Sequence, residues 1–195
     1  MSNSEKVEDG RVLRSQRSRQ AIVDSAVRLV LDQGVMPTAQ QIADAAGVTI
    51  RTFFRHFPEM DLIYREVHNC TIRSFSEDYL KVKTDGSLDE RLRSTLTTFS
   101  KAYQHQQNII LVTKALSRNS EYLVNNYKKV QARLANTLTG FIPEISDLKK
   151  GDRETVFALM SFEFWNRMVN VQENSQKRYV EQVMALVKVV MEGRL

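Results

Sequence analysis

Arg51, Thr52 and Arg55 fall within five residues of one another, in a stretch without acids between Asp44 and Glu59. Residues three and four apart share one face of a helix, so both guanidinium groups and the threonine would project together. An arginine can pair bidentately with a guanine edge, and a threonine can meet a thymine methyl. This is recognition chemistry, and its natural object is nucleic acid.

Groups for bond-making chemistry are scattered by comparison. His56, His68 and His105 form no H-x-x-x-H or H-E-x-x-H spacing, and the sequence has no G-x-S-x-G elbow, phosphate loop or G-x-G-x-x-G. His68 and Cys70 lie two residues apart, roughly 200° around a helix, so they cannot work as a nucleophile and base. The single cysteine excludes an intramolecular disulfide and any Cys-cluster zinc site. The expectation is a protein without catalysis, metal or cofactor.

The elements that must hold Arg51 and Arg55 can be read from the breakers. The 195 residues include only seven Gly and three Pro, and these fall between apolar stretches. Ile22, Ala26, Leu29 and Val30 recur at helical spacing, as do Ile50, Phe53, Phe54 and Phe57. Strand alternation is missing, so the class is all-α. The pattern predicts helices at about 15–33, 38–46, 50–57, 58–83, 87–105, 107–117, 119–139, 152–173 and 175–192. Thr38-Ala-Gln-Gln41 and Ser87-Leu-Asp-Glu90 have the form of capping boxes. Between residues 38 and 57, two short helices meet at Gly47-Val48-Thr49, where Gly47 can turn left-handed and Thr49 can cap the second helix. That is the layout of a helix-turn-helix, whose second helix enters the major groove. Ile50, Phe53 and Phe57 would face the core, leaving Arg51, Thr52 and Arg55 outward.

Charge agrees with this placement. The net charge is +5, and residues 11–57 hold seven Arg and three Asp with no Lys or Glu. A basic N-terminal quarter implies a nucleic-acid-facing end. No apolar run reaches the roughly 18 residues of a membrane span, and the polar N-terminus is no secretory signal. The expected location is therefore cytoplasmic, with no membrane partner.

The segments I-V-D-S-A-V-R-L-V (22–30), I-A-D-A-A-G-V-T (42–49) and T-F-F-R-H-F (52–57), with Gly34, Thr38 and Leu62-Ile63, resemble the TetR family of bacterial repressors over about residues 15–65. The resemblance implies an N-terminal three-helix helix-turn-helix domain joined to a larger helical domain that binds ligand and dimerises. It divides the chain into a flexible basic arm (1–14), a DNA-binding domain (15–57) and an effector-binding and dimerisation domain (58–195). It also implies DNA contacts from Thr38, Gln40, Thr49, Ile50, Arg51, Thr52 and Arg55, with a phosphate contact from His56. Two positions depart from the family: Phe54 stands where Tyr is common and Met60 where Lys is common. Arg14 and Arg17, with Arg11 and Arg19, would compensate as an N-terminal arm reaching backbone or minor groove.

In the larger domain, helix 152–173 is apolar nearly all round, and helix 175–192 carries apolar residues on two sides. A helix apolar on every face is buried on every face, and a second copy of the chain would supply the cover. Phe162, Val169, Val180, Val183, Met184, Val187 and Met191 are the expected dimer contacts. The family's effector pocket would fall among Phe75, Tyr79, Phe99, Tyr103, Phe157, Met160, Phe164 and Trp165. Asn108, Asn166, His105 and Glu163 are its candidate polar groups, and an aromatic and Met-lined cavity suits an apolar or aromatic ligand.

The whole describes a homodimeric repressor released from a palindromic, double-stranded operator by a small effector. A regulator without an effector, or a helical small-molecule binder with a weak DNA-binding domain, are the rival readings.

Overall fold

Helices account for the regular structure throughout the residues described by the computed structural model, which are 3–117 and 120–193. They are α1 (Asn3–Gln33), α2 (Ala39–Ala45), α3 (Ile50–His56), α4 (Met60–Tyr79), α5 (Leu88–Leu116), α6 (Glu121–Phe141), α7 (Lys150–Leu159), α8 (Phe162–Asn166) and α9 (Gln176–Met191). A 3-10 turn at Pro143–Asp147 precedes α7, and one turn of π-helix, Arg167–Val171, prolongs α8.

Several boundaries differ from the sequence reading, four of them as follows. First, α1 begins at Asn3, so residues 3–14 are helical and continuous with the rest; no proline interrupts them. Residues 1 and 2 of the expected arm lie outside the described residues, as does the expected start of a helix at 119. Second, the break placed at residue 106 is absent, and one 29-residue helix runs through it. Gln106 is buried at 2% exposure, and nothing in Gln-His-Gln-Gln breaks a helix. Third, the long helix expected at 152–173 stops at Met160. Ser161 caps a new helix by accepting from the Phe164 amide at 3.2 Å, and its hydroxyl donates to the Ala158 carbonyl at 2.7 Å. Fourth, α4 starts two residues beyond Pro58.

The chain forms two compact units. The first comprises residues 1–72 and 106–125. Its core joins Ile22, Val23, Ala26 and Val30 of α1 to Ile42 and Ala43 of α2, Phe53 and Phe57 of the α3 end, Ile63 and Val67 of α4, and Ile109 and Val112 of α5. Polar ties surround this core. Asp61 accepts from the Ser120 hydroxyl at 2.6 Å and from Arg65 Nε at 2.7 Å, and these bonds hold its carboxyl below the usual range. Asn108 of α5 donates to the Leu31 carbonyl at 2.7 Å. That carbonyl is among the last of α1 and has no intrahelical donor. Gly34 ends α1 with φ +67°, and a Cβ there would stand 3.3 Å from the Asn108 side chain. Asn108 therefore serves as a helix cap, where the sequence suggested a ligand contact.

The second unit comprises residues 73–105 and 126–195. Its interior is aromatic: Tyr79 stacks on Phe99 at 4.9 Å between centroids, and Tyr103 meets Phe75, Phe162 and Trp165 within 5.6–5.9 Å. The Tyr103 hydroxyl donates to the Met160 carbonyl at 3.0 Å, and Trp165 Nε1 donates to the Ser100 hydroxyl at 2.9 Å. Burial pushes the Tyr103 hydroxyl far above its ordinary titration range. Among the described residues, no helix is long and apolar enough to cross a membrane.

His68 on α4 is 8% exposed, and its Nε2 is buried without a hydrogen-bond partner. Burial holds its pKa below the ordinary 6.5. The imidazole is thus neutral in the fold but takes up a proton below 6.5 when unfolded. Since the unfolded state binds more protons there, stability falls as pH drops below 6.5. His56 acts in the same direction, so the comparison must be with a variant. Thermal unfolding midpoints at pH 7.5 and 5.5 should show a smaller acid loss in His68→Gln than in the native chain; equal losses would contradict this assignment.

Candidate nucleic-acid interface

The turn between α2 and α3 is built from backbone bonds and two threonine caps. Thr38 heads α2: its hydroxyl oxygen accepts from the Gln41 amide at 3.3 Å, and Gln41 Oε1 accepts from the Thr38 amide at 2.8 Å. Within α2, Gln40 donates to Asp44 at 2.7 Å. At its far end the Gly47 amide donates to Asp44 O at 3.1 Å and the Val48 amide to Ala43 O at 3.0 Å. This pair of bonds closes a helix through a left-handed residue, and Gly47 supplies it with φ +65°. Thr49 then caps α3, accepting from the Thr52 amide at 3.2 Å and donating to the Thr52 hydroxyl at 3.0 Å.

The seven residues of α3 divide cleanly by side. Phe53 is fully buried, Phe57 at its end is 1% exposed, and Ile50 packs half-buried against the same core. Arg51 and Arg55 are exposed and one turn apart, with Thr52 half-buried between them. Thr38, Gln40 and Thr49 are also exposed. Phe54 stands at the rim, 44% exposed, with its ring edge-on to Phe53 at 5.3 Å. The apolar pattern grouped Phe54 with Ile50, Phe53 and Phe57; its exposure follows from a helix angle about 70° from the core direction.

His56 departs from its expected role. It is half-buried and its Nε2 is enclosed without a partner. Burial first, then the charges of Arg55 and Arg19, lower its pKa. Of the N-terminal arginines, Arg14 and Arg17 are exposed on α1, and Arg14 Nε donates to the Gly10 carbonyl at 3.1 Å. Arg19 is engaged instead, paired with Glu66 and lying 5.0 Å over the Phe57 ring.

The remaining sequence candidates lie in the second unit. Phe99, Tyr103, Met160 and Trp165 are buried, while Phe75, Tyr79, Phe157 and Phe164 are half-buried. The rings of Phe75, Tyr79, Phe99, Tyr103 and Trp165 fill one another's space, so these five act as a packed core. An open cleft of about 420 Å³ lies elsewhere on this unit, lined by Ser74, Glu77, Asp78, Lys81, Lys101, Ala102 and His105. Its lining is polar, unlike the apolar cavity expected. Glu163 accepts from the Tyr127 hydroxyl at 2.8 Å. Val183 and Val187 are fully buried within their own chain, and Phe162, Val180 and Met184 are 6% exposed. These five expected dimer contacts are therefore already covered by their own chain; Val169 and Met191 are half-buried. On α9 it is Ala185 and Leu186 that face outward, beside half-buried Gln182 and Val189.

Short capped helices, a left-handed turn and two exposed arginines opposite a shared core have the geometry of a helix-turn-helix. Residues 22–67 match the family model described as bacterial regulatory proteins, tetR family. That segment, from the middle of α1 to α4, is thus similar to the N-terminal segment of that family. Solved structures share the fold. A transcriptional regulator from Rhodococcus sp. Rha1 aligns with TM-score 0.73 at 10% identity, over 90% of this chain and 96% of its own. A TetR-family transcriptional regulator from Rhodococcus sp. aligns with TM-score 0.66 at 16% identity, over 89% and 98%. A multidrug binding protein, EbrR, complexed with imidazole aligns with TM-score 0.63 at 12% identity, over 86% and 93%. No curated protein sequence matches the chain.

Three substitutions separate contact from scaffold. Arg51→Ala or Arg55→Ala should each cost about 1–3 kcal/mol on the preferred duplex and relax its base preference, measured by titration against single-base variants. Gly47→Ala should instead lower stability by about 1 kcal/mol through left-handed strain, since no atom lies within 4 Å of the added Cβ; denaturant unfolding would show it.

Proposed function

We propose that this protein is a TetR-family, DNA-binding transcriptional regulator that acts as a homodimeric repressor, bound to a palindromic operator and released by a small apolar or aromatic effector. The observation that carries the DNA-binding part is the pair Arg51 and Arg55, exposed on a helix whose other side is the domain core. Thr38, Gln40, Thr49 and Thr52 complete the surface, with Ile50 reaching it from its half-buried position.

The outward strip of α9, Ala185 and Leu186 with Gln182 and Val189, supports dimerisation. Leu186 is 41% exposed, and Val171 at the end of the π-helical turn after α8 is 60% exposed. A second copy would cover these side chains. A two-fold dimer would then present two recognition helices about 34–36 Å apart and read a palindrome.

For the effector, the support is the aromatic interior of the second unit. The Tyr179 hydroxyl lies fully buried in that unit without a hydrogen-bond partner, and burial raises its pKa. Such a group costs free energy until a polar atom meets it, so it offers a polar anchor for an otherwise apolar ligand. The rings must move apart to admit one. An effector preferring the released state 100-fold would shift the balance by about 2.7 kcal/mol, and α4, which runs unbroken from residue 60 to 79, would carry the change.

Selection of bound duplexes from a random pool, at near-physiological salt, tests this reading. Enrichment of one palindrome is the expected result; enrichment of a single half-site would contradict the dimer. Leu186→Glu should yield a monomer by sedimentation and lose the paired-site affinity while keeping its helical signal.

A further inference from the structure

The face that α3 turns to solvent carries one side chain that hydrogen bonding does not explain. Arg51, Phe54 and Arg55 are the exposed residues of this helix, and Phe54 is 44% exposed. Around the helix axis they follow one another across about 100°, with Arg51 between the other two. Thr52 lies about 60° beyond Arg55; it is half-buried, and its hydroxyl accepts from that of Thr49 at 3.0 Å. The exposed face is therefore two guanidinium groups edged by an aromatic ring.

That ring is not needed to close the core, which Phe53 and Phe57 fill while Phe54 stands outside it. Phe54 meets Phe53 edge-on, with centroids 5.3 Å apart and ring planes at 87°. Aromatic pairs prefer this arrangement, so a buried neighbour holds the exposed ring in place. A duplex seated against Arg51 and Arg55 would meet Phe54 on the same face. The arginines are donors and suit the O6 and N7 of guanine. A phenylalanine ring has neither donor nor acceptor, and the apolar group that a base edge presents in the major groove is the thymine methyl. Phe54 lies three residues from Arg51, a rise of about 4.5 Å along α3. Successive bases are about 3.4 Å apart, so the two side chains match the spacing of neighbouring base pairs.

We propose that Phe54 is a specificity-determining residue that reads the methyl group of a thymine beside the guanine met by Arg51. This rests on the DNA-binding reading above, and it moves methyl recognition from Thr52 to the exposed ring.

The test uses the full chain and the duplex enriched from the random pool, with its thymines replaced one at a time by uracil. Uracil keeps every hydrogen-bonding group of thymine and lacks only the methyl. Burial of one such group corresponds to about a fourfold change in affinity. A loss of about fourfold is expected at one thymine, next to the guanine whose identity ceases to matter in Arg51→Ala. In Phe54→Ala the thymine and uracil duplexes should bind equally, whereas Phe54→Leu, which keeps an apolar side chain, should retain part of the difference. Both substitutions put good helix formers at an exposed position, and circular dichroism verifies the fold. Indifference of the native chain to uracil at every position would overturn the assignment, as would an enriched sequence with no thymine beside that guanine. A uracil effect that persists in Phe54→Ala would also overturn it, because another group would then read the methyl. Absence of any preferred duplex for the native chain would instead overturn the underlying DNA-binding reading, and this is visible before a variant is made.

Discussion

A helix of seven residues has too few internal bonds to persist alone in water, and the proposed DNA-recognition surface rests on one such helix. What holds α3 is the burial of Phe53 and Phe57 against α1, α2, α4 and α5. Fully burying a phenylalanine is worth about 1.5–3 kcal/mol, more than any single cap or surface ion pair in the same domain. The direction of Arg51 and Arg55 is thus set by what lies behind them. The left-handed Gly47 and the Thr49 cap decide the angle at which that burial happens.

The same domain depends on residues far along the chain. Ile109 and Val112 complete its core, Asn108 satisfies the end of α1, and Ser120 binds Asp61. The recognition helix therefore belongs to a unit assembled from residues 1–72 and 106–125.

Local signals made part of this legible. The capping boxes at Thr38 and Ser87, the turn at Gly47 and the sidedness of α3 are all short-range features, and each was readable from a few residues. Long-range choices were not. Apolar residues on two sides of α9 did not reveal which side the chain itself covers; Val183 and Val187 are interior, whereas Leu186 is exposed. Similarly, His56 reads as a surface cation by spacing, yet its partial burial, then the charges of Arg55 and Arg19, lower its pKa. The continuity of α5 at Gln106 and the fresh start at Ser161 came down to single polar side chains, one buried in a core and one turned to cap an amide.

The central claim is that α3 discriminates among sequences and does not merely adhere to charge. The most direct measurement is the ratio of affinities for the enriched duplex and a scrambled one of equal length, at near-physiological salt. A specific regulator should favour the enriched duplex by about 10³-fold or more. Equal affinities, falling together as salt rises, would mean that Arg51 and Arg55 meet only phosphates, and would contradict base recognition by α3.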